Sequence, residues 1–486
     1  MSAEIKNLDP QIIWEHFYDL TQIPRPSKHE DAIQDFMVAF GEKLGLETLK
    51  DEVGNVLIRK AATPGMEDRK GVILQGHLDM VPQKNSDTSH DFTKDPIDAF
   101  VDGDWVTANG TTLGADNGIG VAAAMAVLSS NDLVHGPVEA LFTAEEETGM
   151  AGAFGLQPNW IKGDILLNMD SEDEGELYVG CAGGIDASVE FEYDEIVVPS
   201  DLVSFRLAVT GLKGGHSGMD IILGLANANK LMVRFLRYAT REMDVRLANI
   251  DGGSLRNAIP REAFAEIVVP AEQVDALKEK VAEFESIYIA EFCKKEPNLS
   301  FKVDTCNTPA SLMDEYTQDN LIDAVYSCPN GVIRMSDDME GLVETSSNLA
   351  SVKSNKGVVK VNMLIRSSVE SAKMELSERI ESLFQMADAE VVLSGSYPGW
   401  KPNLDSPILK EMQEVYNNKW GKIPEIRAIH AGLECGLLGS QYPNWDMISF
   451  GPTIRSPHSP DEKVNIETVA KFWEYLKETL KHIPAK

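Results

Sequence analysis

The chain lacks any stretch close to the roughly 20 consecutive apolar residues that a membrane-spanning helix requires. Its first residues, MSAEIKNLDPQIIWEHFYDL, contain no basic segment followed by an apolar one, so the sequence predicts no secretory signal. Basic residues are few, with 44 lysines and arginines against 77 aspartates and glutamates, and the net charge is -33. Because like charges repel, we expect neither nucleic acid nor an anionic membrane surface as a partner.

Cysteine is scarce as well, and its five positions are odd in number and widely spaced. This usage predicts reduced thiols in the cytoplasm rather than a disulfide framework. The acidic excess has two interpretations that composition alone does not separate. It gives a soluble surface, or some of the acids collect around cations.

With 486 residues, the chain exceeds what one hydrophobic core usually fills, which favours two domains. Short apolar runs alternate with helical patterns at first, and this alternation predicts an α/β layer. From about residue 186 an α+β pattern occurs twice, which predicts two similar lobes, and the α/β pattern returns later. We therefore predict one discontinuous α/β domain, residues 1–185 and 399–486, that carries an inserted α+β domain, residues 186–398.

Acids and histidines follow the predicted strands of the α/β domain. His77 and Asp79 end GVILQGHLDMV, and residues two apart share one side of an extended chain. Three glutamates, Glu145 to Glu147, follow VEALFT, Asp170 ends DILLNMD, and His458 lies in a loop after a further strand. The carboxyl ends of the strands in an α/β sheet form the edge where ligands bind.

A fifth motif, GTTLGADNGIG, places Asp116 just before a predicted helix. Each motif has an ordinary alternative, such as a helix cap for Asp116 or a solvated acidic loop for the glutamates. GIGVAA also matches a loose dinucleotide-binding pattern, but no apolar strand runs directly into it. Taken together, two imidazoles and several carboxylates suit zinc, or else manganese or cobalt, and favour a two-metal hydrolytic site.

These motifs, HLD, GADNG, EEETG, NMD and SPHSPDE, resemble those of the co-catalytic zinc peptidases of the carnosinase, aminoacylase and glutamate-carboxypeptidase kind. Longer segments are similar to the branch that hydrolyses dipeptides, including aminoacyl-histidine dipeptides such as β-alanyl-histidine: QGHLDMVPQKN, GLKGGHSG, LRNAIPREAFA and HAGLECGL. The resemblance extends from about residue 20 to the C-terminus. It implies a zinc-exopeptidase-like catalytic domain, with a mixed sheet between helices, and an inserted α+β lid domain.

The resemblance also implies a metal-binding role for the residues at matching positions. Asp116 would bridge two divalent metals per chain, of which one is also held by His77 and Asp170 and the other by Glu147 and His458. Zinc is the expected metal, with manganese and cobalt as alternatives.

Catalytic roles follow from the same resemblance. Glu146 would be the general base toward a metal-bridging hydroxide, and Asp79 would orient the ring of His77. Three glutamates in a row leave this register open by one residue, and Glu145 has no assigned role. His216, in GGHSG, would stabilise the oxyanion when the lid closes, unless it only satisfies the glycine-rich turn.

Three further residues are implied to bind the substrate. Arg366 would hold its carboxylate with the help of Asn257, and Glu434 would meet its amine or its histidine ring. A surface salt bridge is the alternative for Arg366, and an acid at a helix start is the alternative for Glu434. The family also holds the peptide bond after the bridging aspartate, here Asp116-Asn117, in the cis form.

The expected function is therefore metal-dependent hydrolysis of dipeptides in the cytoplasm. Alternatives with the same metal ligands are an aminotripeptidase, an N-acyl amino acid deacylase and a carboxypeptidase. A non-catalytic peptide-binding protein on the same fold is a further alternative. The resemblance favours a homodimer, although two lobes in one chain could supply the lid contact internally.

Overall fold

The computed structural model describes residues 2–486 and divides the chain into two compact units. The first unit is formed by the residues up to Gly180 together with Pro402–Ala428 and Leu433–Lys486. The second unit is formed by Cys181–Lys401 and Ile429–Gly432. The inserted domain was predicted at 186–398, within this second stretch.

Most strands of the first unit lie before residue 182, and four more of its strands lie near the C-terminus; the strands of the second unit come between them. The strands in chain order are β1 (Glu47–Lys50), β2 (Val56–Lys60), β3 (Val72–His77), β4 (Ala99–Asp102), β5 (Trp105–Ala108), β6 (Val138–Thr143), β7 (Ile165–Asn168), β8 (Glu176–Cys181), β9 (Gly183–Glu192), β10 (Glu195–Ile196), β11 (Leu202–Thr210), β12 (Gly215–His216), β13 (Arg246–Gly252), β14 (Ala258–Ile259), β15 (Ala263–Pro270), β16 (Ser300–Thr305), β17 (Leu312–Met313), β18 (Gly331–Met335), β19 (Val343–Asn355), β20 (Val358–Ser367), β21 (Glu390–Tyr397), β22 (Glu425–Ile429), β23 (Asp446–Ser449), β24 (Ile454–Arg455) and β25 (Lys463–Asn465).

Helices alternate with these strands. They are α1 (Gln11–Thr21), α2 (Asp31–Lys43), α3 (Ala115–Ser129), α4 (Ala151–Gly155), α5 (Ala228–Glu242), α6 (Val274–Phe292), α7 (Glu315–Ser327), α8 (Glu370–Gln385), α9 (Pro407–Trp420), α10 (Glu434–Gln441) and α11 (Ile466–Lys481), with short 3₁₀ turns at Ser2–Asn7, Ile221–Leu223 and Ala271–Gln273. Across residues 2–486, no helix combines the length and apolar character needed to cross a bilayer.

The main sheet of the first unit has eight strands in the order β1-β2-β6-β3-β7-β23-β8-β22. The neighbours β6, β3, β7 and β23 run parallel, and the outer pairings β1 with β2 and β2 with β6 are antiparallel. The apolar runs identified in the sequence form these four parallel strands. The expected mixed α/β sheet is confirmed, and the carboxyl ends of four neighbouring strands meet at one edge.

Helix α3 packs against β3, and glycines allow the close approach. A Cβ atom added at Gly76 of β3 would lie 2.2 Å from Oδ1 of Asn117, and one at Gly120 would lie 2.5 Å from the carbonyl oxygen of Met169. The helix is buried along almost its whole length, in line with its run of small residues. This packing places the start of α3, and therefore Asp116, beside the end of β3.

The second unit contains a nine-stranded antiparallel sheet with the order β16-β11-β15-β13-β19-β20-β9-β21, and β18 pairs with β19 outside this path. Each half has four strands. If the strands of a half are numbered as they occur along the chain, their order from the outer edge of the sheet inward is fourth, first, third, second in both halves. The chain runs β11-α5-β13-β15-α6-β16 in one half and β9-α7-β19-β20-α8-β21 in the other. The two lobes are therefore alike in topology, and they join through the pairing of β13 with β19.

Gly253 follows β13 at this junction and cannot carry a side chain without strain. Its φ is +72°, and an added Cβ atom would lie 1.8 Å from the carbonyl oxygen of Ala350. We predict that Gly253→Ala lowers the thermal midpoint clearly more than Gly45→Ala. Gly45 also has a positive φ, +70°, but nothing lies within 4 Å, so its substitution costs only about 1–2 kcal/mol of backbone strain. Equal shifts of the two midpoints by circular dichroism would contradict this prediction.

Candidate metal centre

Four of the five chemical motifs of the first unit follow the carboxyl ends of neighbouring parallel strands. His77 is the last residue of β3, the glutamate loop follows β6, and Asp170 follows β7. His458 lies beyond β23, in the loop between β24 and β25. The fifth, Asp116, is delivered to the same edge by the start of α3. The peptide bond Asp116-Asn117 is cis. Sheet order, rather than sequence distance, brings these side chains together.

The Asp116 carboxylate lies between the two histidines. Its Oδ1 is 3.1 Å from Nε2 of His77, and its Oδ2 is 3.2 Å from Nε2 of His458. Each histidine has one further acid beside it: Oδ1 of Asp170 is 3.4 Å from the His77 nitrogen, and Oε2 of Glu147 is 3.1 Å from the His458 nitrogen. Two clusters of three ligand atoms thus share one carboxylate.

The donor set fits two divalent metals. Zinc bonds of about 2.0–2.1 Å in a tetrahedron put neighbouring ligand atoms roughly 3.3 Å apart, close to the 3.1–3.4 Å separations seen here. In addition, Oε1 of Glu147 is buried and accepts no hydrogen bond from residues 2–486. A buried carboxylate oxygen without a donor is costly unless a cation neutralises it.

Asp79 is buried and organises two parts of the centre at once. One carboxylate oxygen lies 3.3 Å from Nδ1 of His77, which fixes the ring so that Nε2 faces Asp116. The same carboxylate accepts hydrogen bonds from the backbone N–H groups of Glu146 (3.0 Å) and Glu147 (3.2 Å). Asp79 therefore orients an imidazole and also positions the glutamate loop, a second part that its sequence spacing does not reveal.

The three consecutive glutamates occupy different surroundings. Glu145 has a left-handed φ of 51°, and its backbone N–H donates to the buried carboxylate of Glu30. The Glu147 carboxylate lies close to both Asp116 and His458. The Glu146 carboxylate lies close to His77 and Glu147, but it is not part of the cluster formed by Asp116, Glu147 and His458. This arrangement favours the register in which Glu147 is the ligand and Glu146 the base.

Electrostatics in the cluster are dominated by crowded negative charge. Burial raises the pKa of Asp170 to about 6 despite the nearby His77, and burial with the surrounding acids raises the pKa of Glu146 well above its ordinary value. Hydrogen bonds that protonated His458 donates to Asp116 and Glu147 raise the pKa of His458 to about 11. Divalent cations would offset the same negative charge that the protonated groups offset here.

His216 lies in the second unit, on β12, where its Nδ1 accepts hydrogen bonds from the backbone N–H groups of Gly218 and Met219, both at 3.1 Å. An imidazole nitrogen that accepts carries no proton, so the neutral ring donates from Nε2. Burial and then the charge of Arg366 lower the pKa of His216, which keeps the ring neutral. A neutral donor of this kind can stabilise a developing oxyanion.

Arg366 lies on β20, is buried, and donates to the hydroxyl of Tyr397 at 2.9 Å. No ion pair that includes Arg366 is found in the described part of the chain, so the surface salt bridge considered above is not formed. Asn257 is exposed and directly precedes β14, the strand that pairs with β12. Its carbonyl oxygen accepts from the N–H of Ser217 at 2.8 Å. These residues belong to one region of the second unit.

Glu434 begins α10 in the first unit and is completely buried. Its Oε2 accepts hydrogen bonds from Nε2 of Gln75 (2.6 Å) and Oγ1 of Thr143 (2.8 Å), and burial raises its pKa to about 7. Both partners lie at the carboxyl ends of β3 and β6, directly before the chemical motifs. Glu434 is thus both a helix-start acid and a neighbour of the candidate metal centre.

Ser27 and Arg25 were not identified from the sequence. Ser27 donates to Asp79 at 2.7 Å, and Arg25 is buried and donates to the carbonyl oxygens of Leu78 and Asp79 at 2.9 and 3.0 Å. The available signal was the segment IPRPS, because an arginine between two prolines cannot lie in a helix and a buried arginine needs fixed acceptors.

Residues 73–482 match the peptidase family M20/M25/M40. The chain belongs to this family. A tripeptidase structure from Staphylococcus aureus shares the fold at a TM-score of 0.56 and 16% identity, covering 98% of this chain and 99% of that one.

Two other proteins are more similar to this chain, and the similarity covers nearly their whole length. A protein of Escherichia coli (strain K12) named cytosol non-specific dipeptidase is 50% identical over 484 residues, which cover 100% of both chains. A crystal structure of aminoacylhistidine dipeptidase from Vibrio alginolyticus is also 50% identical, with a TM-score of 0.95 over 99% of this chain and 98% of that one.

The geometry of the glutamate loop predicts opposite effects at adjacent positions. Glu146→Ala should retain both metals and lower kcat by about 10²- to 10⁴-fold, the usual contribution of a general base. Glu147→Ala should lose metal, because its carboxylate stands beside His458. Glu145→Ala is the matched control and should retain metal and turnover. Metal analysis of the three purified variants checks the assignment, and loss of one ion from Glu146→Ala would mean that the two roles are exchanged.

Proposed function

We propose that this chain is a cytoplasmic dipeptidase that uses two divalent metals. Zinc is the metal we expect. The observation that carries this proposal is the Asp116 carboxylate, each oxygen of which faces one histidine with a further acid beside it. The full-length relatives named as dipeptidases supply the substrate class. Aminoacyl-histidine dipeptides such as β-alanyl-histidine are the proposed substrates within that class.

The residues at the carboxyl edge of the sheet have distinct proposed roles. Asp116, His77, Asp170, Glu147 and His458 hold the metals, which when bound supply Lewis acidity toward the scissile carbonyl and make a water molecule more acidic. A general base must hold a proton between its removal and its transfer to the leaving amine. Glu146 suits this task, because its raised pKa favours the protonated form more than an ordinary glutamate does.

Residues of the second unit are proposed to act on the substrate. His216 donates from Nε2 to the developing oxyanion, and Arg366 binds the substrate carboxylate with its planar guanidinium, supported by Asn257. Glu434 is proposed to interact with the substrate's amine or its histidine ring. We also propose a homodimer, by analogy with the family rather than from a contact within this chain.

For the function itself, we predict hydrolysis of β-alanyl-histidine that is lost on chelation and restored by zinc, manganese or cobalt. Other dipeptides, one tripeptide and one N-acetyl amino acid should be assayed in parallel. Because an expression host can contribute its own dipeptidase, the Glu146→Ala protein, purified identically, is the control. Activity on the tripeptide or acyl substrate alone would assign the chain to a sister reaction, and metal uptake without any turnover would favour a peptide-binding protein.

The proposed part of His216 gives a separate prediction. His216→Ala should lower kcat by about 10²- to 10³-fold, the usual cost of removing an oxyanion donor, while metal content stays the same. His482→Ala, at the exposed end of α11, is the control. Unchanged kcat in His216→Ala would remove this residue from the mechanism, and a loss of metal would indicate a structural role instead.

A further inference from the structure

One buried carboxylate holds the segment that carries Asp116. Glu462 is 2% exposed. Its Oε2 accepts from the backbone N–H groups of Leu113 (2.7 Å) and Gly114 (2.9 Å), and its Oε1 accepts from those of Ala115 (2.7 Å) and Asp116 (3.2 Å). Four consecutive backbone N–H groups therefore donate to one side chain, and that side chain lies about 350 residues further along the chain.

These four groups need an external acceptor because of how α3 begins. The first N–H groups of a helix have no partner within it, and Asp116 and Asn117 also depart from helical dihedral angles. Gly114, the residue before the helix, has a left-handed φ of 72° and offers no side-chain cap. Glu462 replaces the missing cap and so determines where the backbone of Asp116 lies.

Arg25 fixes the same segment from the other side. Its guanidinium donates to the carbonyl oxygen of Gly114 at 2.5 Å and also to those of Leu78 and Asp79, which directly follow His77. A Cβ atom at Gly114 would lie 2.6 Å from this guanidinium, and a φ of +72° is one that other residues rarely adopt, so both favour glycine here. The peptide groups of Gly114 are thus held between a buried anion and a buried cation.

Glu462 also belongs to the loop that carries His458. Its backbone N–H donates to Ser459 at 3.0 Å, its carbonyl oxygen accepts from Oγ1 of Thr107 at 2.8 Å, and β25 begins at the next residue. The side chain therefore connects the segment of one metal-facing residue to the loop of another. A displacement of either would change the distances of 3.1 and 3.2 Å on the two sides of Asp116.

We propose that Glu462, supported by Arg25, is a positioning residue for the metal centre. Glu462 holds the Asp116 carboxylate between His77 and His458. This inference rests on the proposed metal-dependent function. The Glu462 carboxylate acts on the backbone that carries Asp116, through the four N–H groups it accepts from. Its loss should therefore weaken metal binding and lower kcat, while KM changes little.

The test compares Glu462→Gln with Glu139→Gln. The Glu462→Gln substitution turns an amide N–H₂ group toward N–H donors, so part of the cluster loses its acceptor. Glu139 is a matched control: it is buried, accepts from the backbone N–H groups of Lys162 and Gly163 and from Arg59, and lies near the opposite end of β6. Both substitutions should therefore lower the thermal midpoint of the metal-free protein.

The distinguishing readouts are zinc affinity, by competition with a chromophoric chelator, and kcat and KM at saturating zinc. Glu462→Gln should weaken zinc binding by about 10- to 100-fold, the usual effect of removing support for a ligand, and lower kcat at least as much as it changes KM. Glu139→Gln should leave affinity and kcat unchanged. Equal affinity and kcat in both variants, with equal thermal shifts, would reduce Glu462 to a structural residue and overturn the proposal.

Glu462→Asp keeps the charge and should restore part of the zinc affinity, because a shorter carboxylate still reaches some of the four donors. If Glu462→Gln fails to fold, the aspartate variant is compared with Glu139→Asp, and wild-type zinc affinity in Glu462→Asp would contradict the proposal. Zinc affinity is measured without substrate. A chain whose zinc affinity depends on Glu462 but that cleaves no dipeptide would therefore refute the proposed function and leave this inference standing.

Discussion

Mutual repulsion among buried acids is the constraint on which the first unit depends. Glu147 and Asp170 each lie within a few ångströms of Asp116. The raised pKa of Asp170, about 6, reflects its burial and the cost of charging several acids together away from water. A folded chain tolerates this only where cations or donated hydrogen bonds compensate. Every feature around the cluster, from the two imidazoles to the backbone N–H groups that face Asp79, supplies one or the other.

The parallel strands solve the geometric half of this problem. Because their carboxyl ends meet at one edge, the segments at the ends of four strands can each bring one candidate ligand to the same place. Small residues then bring α3 close to β3, so that the fifth candidate ligand, Asp116, is carried by a helix rather than a strand. Outside the ligand set, Asp79, Glu462 and Arg25 all act on backbone groups, which is how a site built on loops becomes rigid.

Much of this arrangement could be predicted from the sequence. The apolar runs predicted β3, β6, β7 and β23, because strand periodicity is a local property. The motifs after them indicated which acids and histidines lie close together, while their role as ligands stays a prediction. The repeated α+β pattern indicated two lobes, but not their shared strand order, which depends on pairing between distant segments. Arg25 and Glu462 escaped for the same reason: a side chain that binds backbone atoms of a remote segment leaves no mark on the residue types of that segment.

The position of β23 has a consequence for how the protein is made. This strand comes from residues 446–449, yet it lies inside the main sheet between β7 and β8. A chain emerging from the ribosome therefore completes every strand of the second unit before it can close the sheet of the first. His458 emerges later still, so the cluster that contains it can form only after every strand of the second unit has been made.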